Sequence, residues 1–357
     1  MIAIVNSQCE YWKREFGADI IIKDSRFQTN VLETILKGIK PVVQIDNDLN
    51  ELQFLSKLPQ KSIIAWLHSD EALNTSFNKK IIKLDSVSLI LRPYHLNNPE
   101  IKNLKLSSFY FLKNVKHVKS IVEYTKMFFW LCRGFAMYSR EKKIIKMLMK
   151  KQKPFHNFPL GYTDVFCKSF LKISEFKPLI SNQSLLSEQF SPKVFPIYSL
   201  SFVGQVGQIV RTVAIRSAEK APGSKVIKRT EYGAGSYADK IVQTNGLEYV
   251  LMVLSSKFIL CPPGNISGNS FRIHETVVSK RVPVVVSNPL SDPNFVSPVN
   301  DLFKGNNFQS WDQVIKSLPI ISEVRYGSLV VSNFEMLQNQ ILIAKAMIEK
   351  VLKQIVK

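Results

Sequence analysis

The sequence is short of cysteine and of acidic residues, and it has no long apolar run. Its four cysteines, Cys9, Cys132, Cys167 and Cys261, stand far apart, without a CxxC pair or the Cys/His spacing of a zinc site. That pattern argues for a reducing compartment and against a structural metal. No apolar stretch approaches the roughly 20 residues of a spanning helix. The opening MIAIVNSQCEYWKREF gives four apolar residues after Met1 before polar ones follow, too few for the core of a signal peptide. These absences predict a soluble chain in the cytoplasm, free or held peripherally on a membrane. Several mechanistic marks are missing too. Without GxxxxGK[ST], a GxGxxG behind the first strand, HExxH or GxSxG, the P-loop, simple dinucleotide, zinc-protease and α/β-hydrolase readings have nothing to stand on.

The chain does have ample material for a core. At 357 residues and 45% hydrophobic, it exceeds the size at which one core stops growing, so two domains of roughly 150 to 180 residues are expected. Forty-eight Lys and Arg against 28 Asp and Glu leave a formal charge of +20. Such a field attracts phosphorylated donors, an acidic membrane face or nucleic acid. Nucleic-acid recognition wants cations and aromatics gathered on one surface, whereas the lysines here run along the whole length. A non-catalytic nucleic-acid-binding protein is therefore the alternative reading, and no nucleic-acid partner is expected under the first.

Short β-branched runs punctuate the first half: IAIV at 2–5, DIIIKD at 19–24, PVVQID at 41–46, SIIAWLH at 62–68 and VSLILRPYH at 87–95. Runs of this kind read as strands buried on both faces of a parallel sheet. FQTNVLETILKGI and LNELQFLSKL between them carry helical spacing, as parallel crossovers require. Residues 121–153 read as an aromatic core helix followed by an exposed basic one, a pattern that would also suit anionic headgroups. A second α/β pattern follows, with a strand ending at Gly204, a helix-like VGQIVRTVAIRSAEKA, and the strands FILC and PVVV. The fold class is thus α/β, with two Rossmann-like domains. The boundaries are 1–170, a Pro-punctuated linker at 171–195, 196–330, and an amphipathic C-terminal helix at 331–357.

The most specific stretch is KFILCPPGNISGNSFRIHETVVSKRVPVVV, residues 257–286. Ligands of open parallel sheets sit beyond the carboxyl ends of the strands, and FILC empties into PPGNISGNS. Gly264 and Gly268 allow close backbone approach, Asn265 is a polar member of the loop, and Ser270 is placed to cap a helix starting near Phe271. That helix start and Arg272, one step inside it, suit phosphate. Glu275 lies one turn on from Arg272, where neutral hydroxyls suit it better than phosphates do. His274 reads as a helix-surface or supporting residue rather than a catalyst.

The order strand, Cys-Pro-x-Gly, Ser-x-Arg-x-x-Glu, basic residue, Val-Pro-Val-Val resembles the donor-binding motif of exostosin-like glycosyltransferases of GT-B architecture. Here it appears as FILCPPGN, SFRIHE and KRVPVVV. Tyr249, Lys257-Phe258 and LSFVGQ with Arg211 extend the likeness. The resemblance implies that the two domains face a cleft, with a nucleotide-sugar donor held by the second domain, through Gly204, Arg211, Gly264, Asn265, Ser270 and Arg272, and Glu275 on the ribose. It also implies a glycan or glycolipid acceptor held by the first domain, and no cofactor or obligatory metal besides the donor. The chain departs from the motif at Lys280-Arg281, where the family has Gly-Cys. His68 and Asp70, just past a predicted strand, are the candidate catalytic bases for an inverting transfer, Asp70 ahead of His68. Asp70 as a helix cap is the competing role, and Asp46, Asp48, His95 and Asp164 compete for the chemistry.

Overall fold

Two parallel sheets organise the computed structural model, which describes residues 1–22, 26–45, 48–67, 75–92, 115–173, 196–206, 209–229, 239–262, 271–285 and 311–353. The first half runs β1 (Ile2–Val5), α1 (Cys9–Phe16), β2 (Asp19–Ile22), α2 (Phe27–Leu36), β3 (Val42–Gln44), α3 (Leu49–Leu55), β4 (Ile63–Trp66), α4 (Thr75–Lys83), β5 (Val87–Arg92), α5 (Ile121–Lys150), β6 (Phe155–Asn157) and α6 (Asp164–Ile173). The second runs β7 (Tyr198–Gln205), α7 (Ile209–Ala218), β8 (Ser224–Arg229), α8 (Asp239–Leu254), β9 (Ser256–Leu260), α9 (Phe271–Val278), β10 (Val282–Val284), α10 (Trp311–Ser317) and α11 (Glu323–Lys353).

The six-stranded sheet has the order β2-β1-β3-β4-β5-β6 and the four-stranded sheet the order β10-β9-β7-β8. Every recorded pairing is parallel. The predicted strands occur where the apolar runs stand, and β3 and β4 are buried along their whole length. Each sheet is wound outward in both directions from its first strand. The order therefore reverses between β1 and β3 in one sheet and between β7 and β9 in the other, the places where such sheets bind ligands.

Strand β8 has no counterpart in the sequence reading. Its SKVIKR lies on the sheet edge and needs little burial, so cations interrupt the apolar signal while also blunting the edge. The two helices expected over 121–153 are one 30-residue helix, α5. Ser120 caps it, its Oγ accepting from Glu123 N at 3.2 Å, and no proline interrupts it. Its aromatic half is not core: Met127 is buried, whereas Phe128 and Phe129 are exposed. The terminal helix starts at Glu323, earlier than residue 331, and runs through Gly327, whose missing Cβ would meet no atom.

Two long helices strap the halves together. Met127 of α5 joins the core under the second sheet, while Ile144 and Leu148 join a core of the first. Leu329 of α11 likewise sits in the second core, and Leu337, Ile341 and Ile348 pack with Trp12, Phe158 and Phe166. Trp12 stacks on Phe158 with centroids 5.0 Å apart. Val250, Leu254 and Val277 join that same cluster from the second half. The α6–α8 crossing is close enough to require a glycine, since a Cβ on Gly246 would lie 2.6 Å from Ser169 Oγ. Residues 171–173 of the expected linker continue α6, and 174–195 lie outside the described residues.

Candidate functional site

The carboxyl ends of β7 and β9 lie side by side, with Leu200 opposite Phe258 and Ser201 opposite Ile259. From β9 the chain passes Cys261 and Pro262, both buried, and re-enters description at Phe271, the start of α9. Arg272, in the first turn, reaches back across the end of β7. Its Nη2 donates to Val203 O at 2.9 Å, and its guanidinium lies 4.8 Å from the Phe202 ring centroid. A Cβ on Gly204 would stand 2.6 Å from that Nη2, so the glycine is what lets the arginine through. Arg272 Nε is buried and has no hydrogen-bond partner among the described residues. The structure thus brings together Gly204 and Arg272, two residues 68 positions apart that the sequence marked independently.

Arg211 stands half-buried in the first turn of α7, the helix that follows β7. Thr212 Oγ1 donates to Val206 O at 2.9 Å and fixes the turn into that helix. Both helices that start at the β7/β9 reversal therefore carry an arginine in their first turn. Gly264, Asn265 and Ser270 lie outside the described residues, as do His68, Asp70, Asp46 and His95.

Glu275 has partners that the sequence did not suggest. Its Oε1 accepts from Thr163 N at 3.2 Å and Thr163 Oγ1 at 2.7 Å, and its Oε2 accepts from Tyr249 OH at 2.9 Å. Glu275 is 4% exposed. Burial pushes its carboxyl above the usual range, while the Thr163 and Tyr249 donors and the nearby Arg272 charge pull the other way. Thr163 follows β6, so this carboxylate ties the loop at the end of the first sheet to the helix behind the β9 loop. Tyr249, marked in the sequence as part of the motif's approach, is raised well above its ordinary value by burial and then by the Glu275 charge.

His274 is not a helix-surface residue. It is fully buried, and burial lowers it to about 3, which keeps the ring neutral at physiological pH. Cys261 is likewise buried, its thiol pushed up to about 12, so it is an inert core residue rather than a nucleophile.

Lys280-Arg281 is accommodated by a helix C-cap. Lys280 adopts the left-handed conformation at φ 52°, its N–H donating to Val277 O at 2.9 Å, and Arg281 N donates to Thr276 O at 3.0 Å. Arg281 then buries its guanidinium against the last carbonyl of α8, with Nη2 to Leu254 O at 2.7 Å. Lys280 Nζ stands 5.6 Å from the Phe334 centroid on α11. Lys280 and Arg281 thereby tie the end of α9 to α11 and α8.

Two of the competing aspartates have structural work. Asp48 caps α3 by accepting from Asn50 N at 2.8 Å. Asp164 accepts from Cys9 N at 3.0 Å and Glu10 N at 2.8 Å, capping α1 from across the chain. Sequence reasoning missed Thr163 and Phe202. Phe202 stands there only within LSFVGQ, without a role, and Thr163 carries no mark, because each acts through a partner distant in sequence. Among the described residues, no three His, Cys, Asp or Glu side chains gather as a metal centre. No family model and no curated protein matches the chain.

Proposed function

We propose that the chain is a nucleotide-sugar-dependent glycosyltransferase of GT-B architecture, with its donor at the β7/β9 reversal and its acceptor, a glycan or glycolipid, across a cleft in the first half. The observation that carries this reading is Arg272, placed beside Gly204 at the end of β7 and in the first turn of α9, with its buried Nε unpartnered among the described residues. An arginine and a helix start converging at a sheet reversal suit a diphosphate. The paired doubly wound sheets and the Thr163–Glu275 tie from the loop after β6 to α9 support the two-domain layout.

In the proposed transfer, the bond from the anomeric carbon to the diphosphate oxygen breaks as the acceptor hydroxyl bonds to that carbon. The diphosphate leaves with the electron pair, and Arg272 and the α9 start stabilise the developing charge without reorganising. Arg211 adds positive charge from α7. In an inverting reaction the acceptor proton goes to a general base of the first half, for which Asp70 is proposed ahead of His68. Glu275, held by Thr163 and Tyr249, keeps α9 and its arginine in register with the first half. Surface polysaccharide or glycoconjugate synthesis is the proposed setting.

The test is release of nucleoside diphosphate from a panel of nucleotide sugars. Arg272→Ala is expected to lower turnover about 100-fold or more while leaving the fold intact. Full turnover in that variant would sink the site assignment. Failure of every nucleotide sugar, with a polynucleotide alone raising the melting temperature in a steeply salt-dependent way, would favour the nucleic-acid reading instead.

A further inference from the structure

Helix α5 presents to solvent a face that no described element covers. Met127, Ile144 and Leu148 turn inward. The opposite side carries Ile121, Val122, Phe128, Phe129, Cys132 and Ala136 along its first half, at the i, i+4, i+7, i+8 spacing of one helix face. Ile121 is 86%, Val122 61%, Phe128 54% and Phe129 65% exposed. Along its second half the same face is basic, with Arg140, Lys143, Lys146 and Lys150 all exposed. Within Ile121–Lys150 there are seven Lys and Arg against two Glu, and one of those, Glu123, is held by Arg216 through Nη1 at 2.7 Å and Nη2 at 2.6 Å.

We infer that α5 is a membrane-surface helix: its apolar half enters the headgroup boundary of an anionic bilayer and its basic half lies on the lipid phosphates. The helix is about 45 Å long, enough to hold both halves against one surface at once. Among the described residues no helix is long and apolar enough to cross a membrane, so the contact is in plane rather than spanning. Charge complementarity selects this occupant. A second copy of the chain would bring the same +20 and the same four cations. Nucleic acid would use aromatics interleaved with cations, whereas on this face the apolar side chains lie in the first half and the four exposed cations in the second, the division an interfacial helix needs. The inference does not depend on the transferase reading, because its readout is partition to lipid.

The test is flotation of the purified full chain with vesicles of phosphatidylcholine alone or mixed with phosphatidylglycerol. Wild type is expected to float with the mixed vesicles only, and less as salt is raised. The exposed positions allow substitution without unfolding. Phe128→Ser with Phe129→Ser should lower partition roughly tenfold or more. Replacing Arg140, Lys143, Lys146 and Lys150 by Gln should lower it about fivefold per charge and flatten the salt dependence. A polarity-sensitive dye on exposed Cys132 should report a less polar environment with mixed vesicles. Absence of wild-type binding to mixed vesicles, equal binding to phosphatidylcholine alone, or full binding by both variants overturns the inference. So does a dimer, seen by sedimentation, that ignores lipid and is dispersed by Phe128→Ser with Phe129→Ser.

Discussion

Gly204→Ala should damage the protein mainly by evicting Arg272, and a double-mutant cycle isolates that effect. The added Cβ would stand 2.6 Å from Arg272 Nη2 and 3.2 Å from Phe202 Cζ. The ring is fixed in the core, so the flexible guanidinium gives way and loses the Val203 carbonyl and the Phe202 face. A hydrogen bond from a charged donor contributes about 1.5–3 kcal/mol and a partly exposed cation–π contact about 0.5–1 kcal/mol. Water recovers part of this for a half-buried group, which leaves about 2 kcal/mol. The backbone at Gly204, with φ 157°, adds about 1 kcal/mol of strain for alanine whatever Arg272 does. Gly204→Ala is thus expected to cost about 3 kcal/mol in the wild type and about 1 kcal/mol in an Arg272→Ala background. Urea denaturation of the four proteins measures both. Additivity within about 0.5 kcal/mol would refute the claim that the glycine exists to admit the arginine.

Further outcomes follow from the same region. Thr163→Val removes the 2.7 Å donor to Glu275 and the acceptor for Phe166 N, and should cost about 1–3 kcal/mol by chemical denaturation. Tyr249→Phe removes a second donor to the same carboxylate, so the two losses should combine non-additively; a cost below about 0.5 kcal/mol for each would contradict the tie between the halves. Buried His274 sits below its unfolded value, so its contribution is complete above pH 6.5 and declines as pH falls towards about 3. Glu275, raised by burial, acts with opposite sign: it favours the fold in acid and weakens it as pH rises through its folded value. A urea-midpoint series for wild type and His274→Asn should show the variant's acid-side slope shallower by at most about 1.4 kcal/mol per pH unit. Equal slopes would show that His274 is not held neutral.

The central parallel strands were legible because short apolar runs such as β3 and β4 are buried along their whole length, a pattern that depends on local sequence alone. Strand β8 was not, since an edge strand can satisfy its fold with SKVIKR and give no apolar run. The split reading of α5 failed on Phe128 and Phe129: aromatic character predicts burial on average, but these two point away from Met127 and the core. In the candidate site, Gly204 and Arg272 were each marked by type and place, yet their meeting required the β7–β9 pairing, which no periodicity reveals. Glu275 and Thr163 are 112 positions apart. An acid one turn past an arginine looked like a ligand group, and only the packing of α9 against the first half shows that its oxygens are held by protein donors. Lys280 and Arg281 stood out in the sequence only as a departure from the motif's Gly-Cys. The left-handed cap and the α8 carbonyl that accepts Arg281 are long-range compensations invisible along the chain.

The proposed donor site at the β7/β9 reversal is tested most directly by calorimetric titration of the full chain with nucleoside diphosphates. The account predicts saturable binding of at least one of them to the wild type, weakened tenfold or more in Arg272→Ala and comparably in Gly204→Ala, with both variants folded. Binding of equal strength in Arg272→Ala, or no heat from any nucleoside diphosphate with the folded wild type, would contradict it.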